Sequence, residues 1–133
     1  MVSIREEPDC GNAPRKTIVR DLVVALAMKD IDFVAPLITA DASWALVGEQ
    51  HLVGGPAILT WISGLPTVST VVFGSLLTHG RGASVDGVLE LSDGTKMGFC
   101  HVLRFAGAGK TVKLVGVTSY VINISSGINI SSG

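Results

Sequence analysis

Residues 83–105, ASVDGVLELSDGTKMGFCHVLRF, carry the reading of the fold. They form two alternating stretches around Ser92-Asp93-Gly94-Thr95 and predict an antiparallel hairpin. Asp-Gly favours a two-residue type I′ turn, whose central residues both need φ > 0. With Asp93-Gly94 at the tip, paired residue numbers sum to 187, so Val88 is expected opposite Phe99 and Asp86 opposite His101. In the second strand Met97, Phe99, His101, Leu103 and Phe105 share one face, and Lys96, Gly98, Cys100, Val102 and Arg104 share the other. The first is the core face by composition. Its one histidine would then stand across the ladder from an aspartate, with Cβ atoms about 4.5–5.5 Å apart.

Working outward, 133 residues suit one domain with one core. Hydrophobic residues make up 47% of the chain and charged ones 16%, which predicts a packed globule. The net charge is -1 and no basic cluster exceeds Arg15-Lys16, so a nucleic-acid surface is not expected. The apolar runs fall far short of the roughly 20 residues that span a bilayer, and residues 1–10 lack the apolar centre of a secretion signal. Cys10 and Cys100 fit no disulfide framework. A cytoplasmic protein without membrane association is expected.

Residues 1–11 read as a flexible leader. Pro14 suits a first helical turn, and Ile18, Val19, Leu22, Val23 and Leu26 recur at helical spacing up to Lys29. Asp30 or Asp32 would cap a short second helix through Leu37. Residues 41–47 alternate as a strand, followed by a brief one at 51–53. Gly54-Gly55-Pro56 opens a third helix with Ile58, Trp61, Ile62 and Leu65 on its buried stripe; Pro66 stops it. Strands then follow at 69–79, through the hairpin, and at 110–122. The repeated INISSG at 122–127 and 128–133 reads as low-complexity sequence, so one domain is placed at 12–122 with a tail at 123–133. Helices first and antiparallel strands last is an α+β order: a sheet packed against three N-terminal helices.

That order, with the phrases LVVALAMKDIDFVAPLITADASWALVG, HLVGGPAI, DGTKMGFCHVLRF and VGVTSYVI, resembles the nuclear transport factor 2-like superfamily. Ketosteroid isomerases and polyketide-cyclase-like proteins belong to it. The resemblance implies a strongly curved, cone-shaped mixed or antiparallel sheet around a pocket. It puts Leu46 where the isomerases hold a general-base carboxylate, and Leu22 where they hold an oxyanion-binding tyrosine. Their second oxyanion donor, an aspartate in a phrase like "DVMRF", falls on His101 of HVLRF. The isomerase set is therefore missing, while position 101 is implied to look into the cone, with Trp44 and Leu46 on the pocket side.

The functional expectation is a pocket for a small hydrophobic molecule. His101 and Asp86 are its candidate acid–base pair, because a carboxylate beside an imidazole fixes its tautomer and raises its pKa. Isomerisation, dehydration or cyclisation without a cofactor would fit; a non-catalytic ligand-binding or dimeric interaction module is the alternative. Trp44, Leu46, Phe99, Leu103, Val88 and Trp61 are the expected pocket walls. No metal is expected, since three histidines without ligand spacing and two isolated cysteines make no site. His51 reads as a strand-edge residue and His79 as a turn residue. Gly107-Ala108-Gly109-Lys110-Thr111 lacks the first glycine of a phosphate loop and opens a strand. Val85, Leu89, Leu91 and Val102 are assigned to the outer sheet face, where they would make a homodimer interface.

Overall fold

The computed structural model describes residues 2–6, 14–109 and 113–125. Helix α1 (Pro14–Met28) starts on a proline and buries Val19, Leu22, Val23 and Leu26 on one stripe. It ends where Lys29 takes φ 56°, the left-handed conformation that closes a helix, and Asp30 N–H reaches back to the Ala25 carbonyl at 2.8 Å. Asp30 then accepts the Phe33 N–H at 3.1 Å, capping the short α2 (Ile31–Val34) before a 3-10 turn at Ala35–Leu37. Helix α3 (Gly55–Ser63) opens after Gly54, at φ 95°, and buries Ile58 and Ile62.

Among the described residues, seven strands make one open, mixed sheet: β1 (Ser3–Arg5), β2 (Ile38–Leu46), β3 (Gln50–Val53), β4 (Val68–His79), β5 (Gly82–Leu91), β6 (Lys96–Phe105) and β7 (Leu114–Asn123). Their spatial order is β1-β4-β5-β6-β7-β2-β3. The β1–β4 and β2–β7 pairs are parallel and the others antiparallel. The α+β architecture thus agrees with the sequence reading. Within the stretch read as a flexible leader, residues 3–5 form strand β1 and pair with 70–72, and Glu6 bonds Arg20 of α1 at 2.8 Å. Cys10 and the second INISSG repeat lie outside the described residues.

The hairpin register is a second correction. Residue numbers paired between β5 and β6 sum to 186: Asp86 faces Cys100, and His101 faces Val85. The loop has three residues, not two. The Gly94 N–H meets the Leu91 carbonyl at 3.0 Å, the Leu91 N–H meets Thr95 O at 2.8 Å, and Gly94 has φ 91°. Among the described residues Lys29 is the one non-glycine at positive φ, so Asp93 does not adopt the type I′ conformation. Its carboxylate instead accepts the Thr95 N–H at 2.9 Å, which suits a type I turn followed by a left-handed glycine. Slipping by one residue reverses every side chain of β5. Val85, Leu89 and Leu91 therefore face inward, and Asp86 and Val88 face outward.

Asp86 has a structural task on that outer side. Strand β4 carries a bulge, Gly74-Ser75, between Phe73 opposite Gly87 and Leu76 opposite Val85. The Asp86 carboxylate accepts both the Ser75 N–H and the Ser75 hydroxyl at 2.8 Å, and a Cβ on Gly74 would collide with it. Bulges bend and twist a sheet, and this one helps curl the sheet over the helices. Inside the bend, the Phe99 ring lies over Gly87, where a Cβ would meet that ring at 3.0 Å.

One end of the cone is tied shut. Arg15, only 9% exposed, donates to the carbonyls of Gly109 at 2.6 Å, Gly107 at 3.1 Å and Gly80 at 3.4 Å. Its guanidinium lies 3.9 Å from the centre of the Phe105 ring. The glycines of 107–109 thus present carbonyls to a buried cation.

Candidate functional site

Strand β6 alternates as its sequence predicts, and its inward face supplies the site. Phe99, His101, Leu103 and Phe105 are buried, and Met97 is half-buried. Between β6, the C-terminal half of α1 and α3 lies a pocket of about 140 Å³. Val23, Leu26 and Ala27 of α1, Trp61 of α3, Leu89 and Leu91 of β5, and Met97, Phe99 and His101 of β6 line it, with Val121 of β7. Leu65, Pro66 and Val68 complete the wall. None of these side chains is charged. Exposure grades along the pocket: Pro66 is exposed, Leu65, Leu91 and Met97 are half-buried, and Ala27, Phe99 and His101 are buried. His101 thus belongs to the buried part of the lining, and Pro66 is its exposed member.

His101 is 8% exposed. Its ladder neighbours are Val85 on one side and Ser119 on the other. Nδ1 stands 2.6 Å from Ser119 Oγ. That hydroxyl, 1% exposed, also accepts the Trp44 indole N–H at 2.7 Å. Trp44 packs on Trp61 with ring centres 5.1 Å apart, and the His101 and Phe99 rings are 5.2 Å apart. Burial in these apolar surroundings disfavours the imidazolium and lowers the His101 pKa to about 4. The ring is neutral at pH 7. Among the described residues, Nε2 has no protein hydrogen-bond partner.

The expected site residues divide accordingly. Phe99, Trp61 and His101 line the pocket. Trp44 stands behind His101, one layer back. Leu46 and Leu103 belong to the core outside the lining, and Leu22 is likewise buried without reaching it. Val88 turns outward, paired with Val72 and Gly98. Asp86 is separated from His101 by the sheet itself, so the acid–base pair does not form. His51 and His79 are exposed strand residues. Among the described residues no group of three or more His, Cys, Asp or Glu is placed to hold a metal ion, and no helix is long and apolar enough to cross a membrane.

Ser119 is the residue that sequence reasoning missed. Its signal was present in the alternation of VGVTSYVI, where Ser119 shares a face with Val117 and Val121. Its partner was not: Trp44 lies 75 positions away, on a strand made adjacent by the parallel β2–β7 pairing.

No protein-family model matches the chain, and no curated protein matches it in sequence. Solved structures do match. The chain is similar to a "putative ketosteroid isomerase" from Kribbella flavida at 18% identity and a TM-score of 0.69, covering 82% of this chain and 78% of that one. It is similar to the epoxide hydrolase/cyclase-like enzyme SalBIII, described for pyran ring formation in the polyether salinomycin, at 18% identity and a TM-score of 0.66, covering 81% and 90%. A nuclear transport factor 2-like protein of unknown function from Mesorhizobium loti aligns at 16% identity and a TM-score of 0.67, covering 91% and 99%. At such identities the likeness concerns architecture, and one fold hosts many functions. Three helices against an open, seven-stranded, strongly bent sheet, shared with these neighbours over most of the chain, make this the nuclear transport factor 2-like fold.

Proposed function

We propose that the cone pocket binds a small, uncharged, mostly apolar molecule, with His101 as a buried polar contact. The observation that carries this reading is an apolar pocket of about 140 Å³ ending on a buried, neutral histidine. An apolar cavity of roughly 150 Å³ holds a benzene ring, so a single-ring molecule is the size class. Pockets for drug-sized ligands run from about 300 Å³ upward.

Binding without proton transfer fits better than the isomerase, dehydratase or cyclase chemistry expected of His101 with Asp86. General acid–base work is most efficient with a pKa near the operating pH, and a histidine at about 4 is a weak base at pH 7. No lining side chain offers a carboxylate to take the second role. The test is methyl-resolved NMR during addition of single-ring compounds to the full chain. Shifts centred on Val23, Leu26, Leu89 and Met97 are expected, and shifts scattered over the surface would overturn the reading.

A second copy of the chain is the partner that the outer sheet face favours. Leu77 and Ile122 there are 64% and 63% exposed, beside partly exposed Val72, Val102 and Tyr120. The patch differs from the sequence expectation, because only Val102 of the four residues assigned to it faces out. Its apolar residues lie on β4, β6 and β7, and on the intervening β5 Val88 faces out between Ser84, Asp86 and Glu90. Several exposed large apolar side chains on one sheet face suit an interface, and isologous pairing would cover them.

A further inference from the structure

Two hydrogen bonds at the floor of the pocket decide which proton His101 carries. The indole N–H of Trp44 can only donate, so Ser119 Oγ is an acceptor at 2.7 Å. The same oxygen lies 2.6 Å from His101 Nδ1. If Nδ1 bore the proton, Ser119 would accept twice, and its own O–H would be left without an acceptor at 1% exposure. An orphaned buried donor is costly. If Nδ1 is the bare nitrogen, the Ser119 O–H donates to it. Trp44, Ser119 and Nδ1 are then all satisfied in one chain, and neighbouring bonds of such a chain strengthen one another. The proton of the neutral ring then resides on Nε2, the nitrogen without a protein partner.

We propose that Ser119, held by Trp44, locks His101 in the Nε2–H tautomer, so that His101 presents a hydrogen-bond donor to the pocket and selects neutral single-ring molecules with an oxygen acceptor. Ketones, esters and ethers of that size satisfy the donor. A hydrocarbon of the same shape leaves it unpaired, and sites built to bond a polar group reject analogues that lack it. A carboxylate fares worse, since the lining holds no charge to compensate its desolvation. The ligand class rests on the binding reading above; the tautomer does not. Ser119 acts here as a positioning residue, because it reaches the ligand only through His101.

The experiment has two arms, both on the full chain at pH 7. Long-range ¹H–¹⁵N NMR of the histidine rings reads the tautomer directly. The expected His101 spectrum has a bare Nδ1 and a protonated Nε2, drifting toward mixed tautomers in Ser119→Ala. A protonated Nδ1 in the parent chain overturns the lock. In the second arm, acetophenone, cumene and benzoate are titrated into the parent chain and into His101→Phe. Acetophenone is expected to bind roughly 10-fold tighter than cumene, the worth of about one neutral hydrogen bond, with benzoate not bound. In His101→Phe the gap should close. Equal affinities in the parent chain, or tighter binding of benzoate, overturn the ligand class. If no probe binds, the occupancy reading and the ligand class fall together, while the ring spectrum still decides the lock.

Discussion

Ser119 Oγ lies 2.6 Å from His101 Nδ1, and this contact links the two polar side chains buried at the heart of the cone. It joins strands β6 and β7 at a register pair and reaches β2 through Trp44. Three strands therefore share one hydroxyl.

Replacing that hydroxyl should be felt in stability. Ser119→Ala leaves the Trp44 N–H and His101 Nδ1 buried without partners, a loss of roughly 1–3 kcal/mol. Urea denaturation at pH 7 is the measurement, and an unchanged midpoint would show that neither group relies on Ser119.

Acid should weaken the fold through His101. Its folded pKa, about 4, lies below the ordinary 6.5. Between those values the unfolded chain binds a proton that the folded chain refuses. The contribution is thus fully present above pH 6.5 and lost as pH falls toward 4, a decline of about 3 kcal/mol from this residue. His101→Phe should flatten that part of the stability–pH curve. Equal slopes in parent and variant would place the acid sensitivity elsewhere.

Asp86→Asn separates a structural aspartate from a catalytic one. Weakening the two bonds that Asp86 accepts from Ser75 should cost about 1 kcal/mol at this partly solvated bulge. The pocket methyl resonances and ligand affinity should hardly move, because the carboxylate is on the far side of the sheet. A large change in affinity at unchanged stability would contradict this assignment.

Charge on the outer face should keep copies apart. Ile122→Lys puts an ammonium into an apolar patch without disturbing the interior. Sedimentation of the parent chain at micromolar concentration is expected to give a dimer, and the variant a monomer with an unchanged far-UV spectrum. A monomeric parent would leave the patch without the partner proposed for it.

Much of the fold was legible because its signals are local. Proline and glycine marked the starts of α1 and α3, and the alternation of Met97, Phe99 and His101 fixed the inner face of β6. The hairpin tip was ambiguous. Asp-Gly serves a two-residue turn with both residues left-handed and a three-residue loop with only the glycine so, and nothing in the neighbouring sequence chooses. The structure has the second, and that single residue carried Asp86 from the pocket to the bulge. The short edge strand Ser3–Arg5 was invisible for another reason: three residues have no period, and only their pairing with β4 makes them a strand. Ser119 needed a strand order that no local pattern encodes.

The Arg15 knot draws the loops at Gly80 and Gly107 together at one end of the sheet, while Leu65, Leu91 and Met97 line the pocket toward the other. Under the proposed reading the oxygen of a guest points toward His101 and its ring lies against Val23, Leu26 and Leu89. The floor measures only the head of the molecule. Two single-ring compounds of equal size should therefore be told apart by their oxygen and not by their outline.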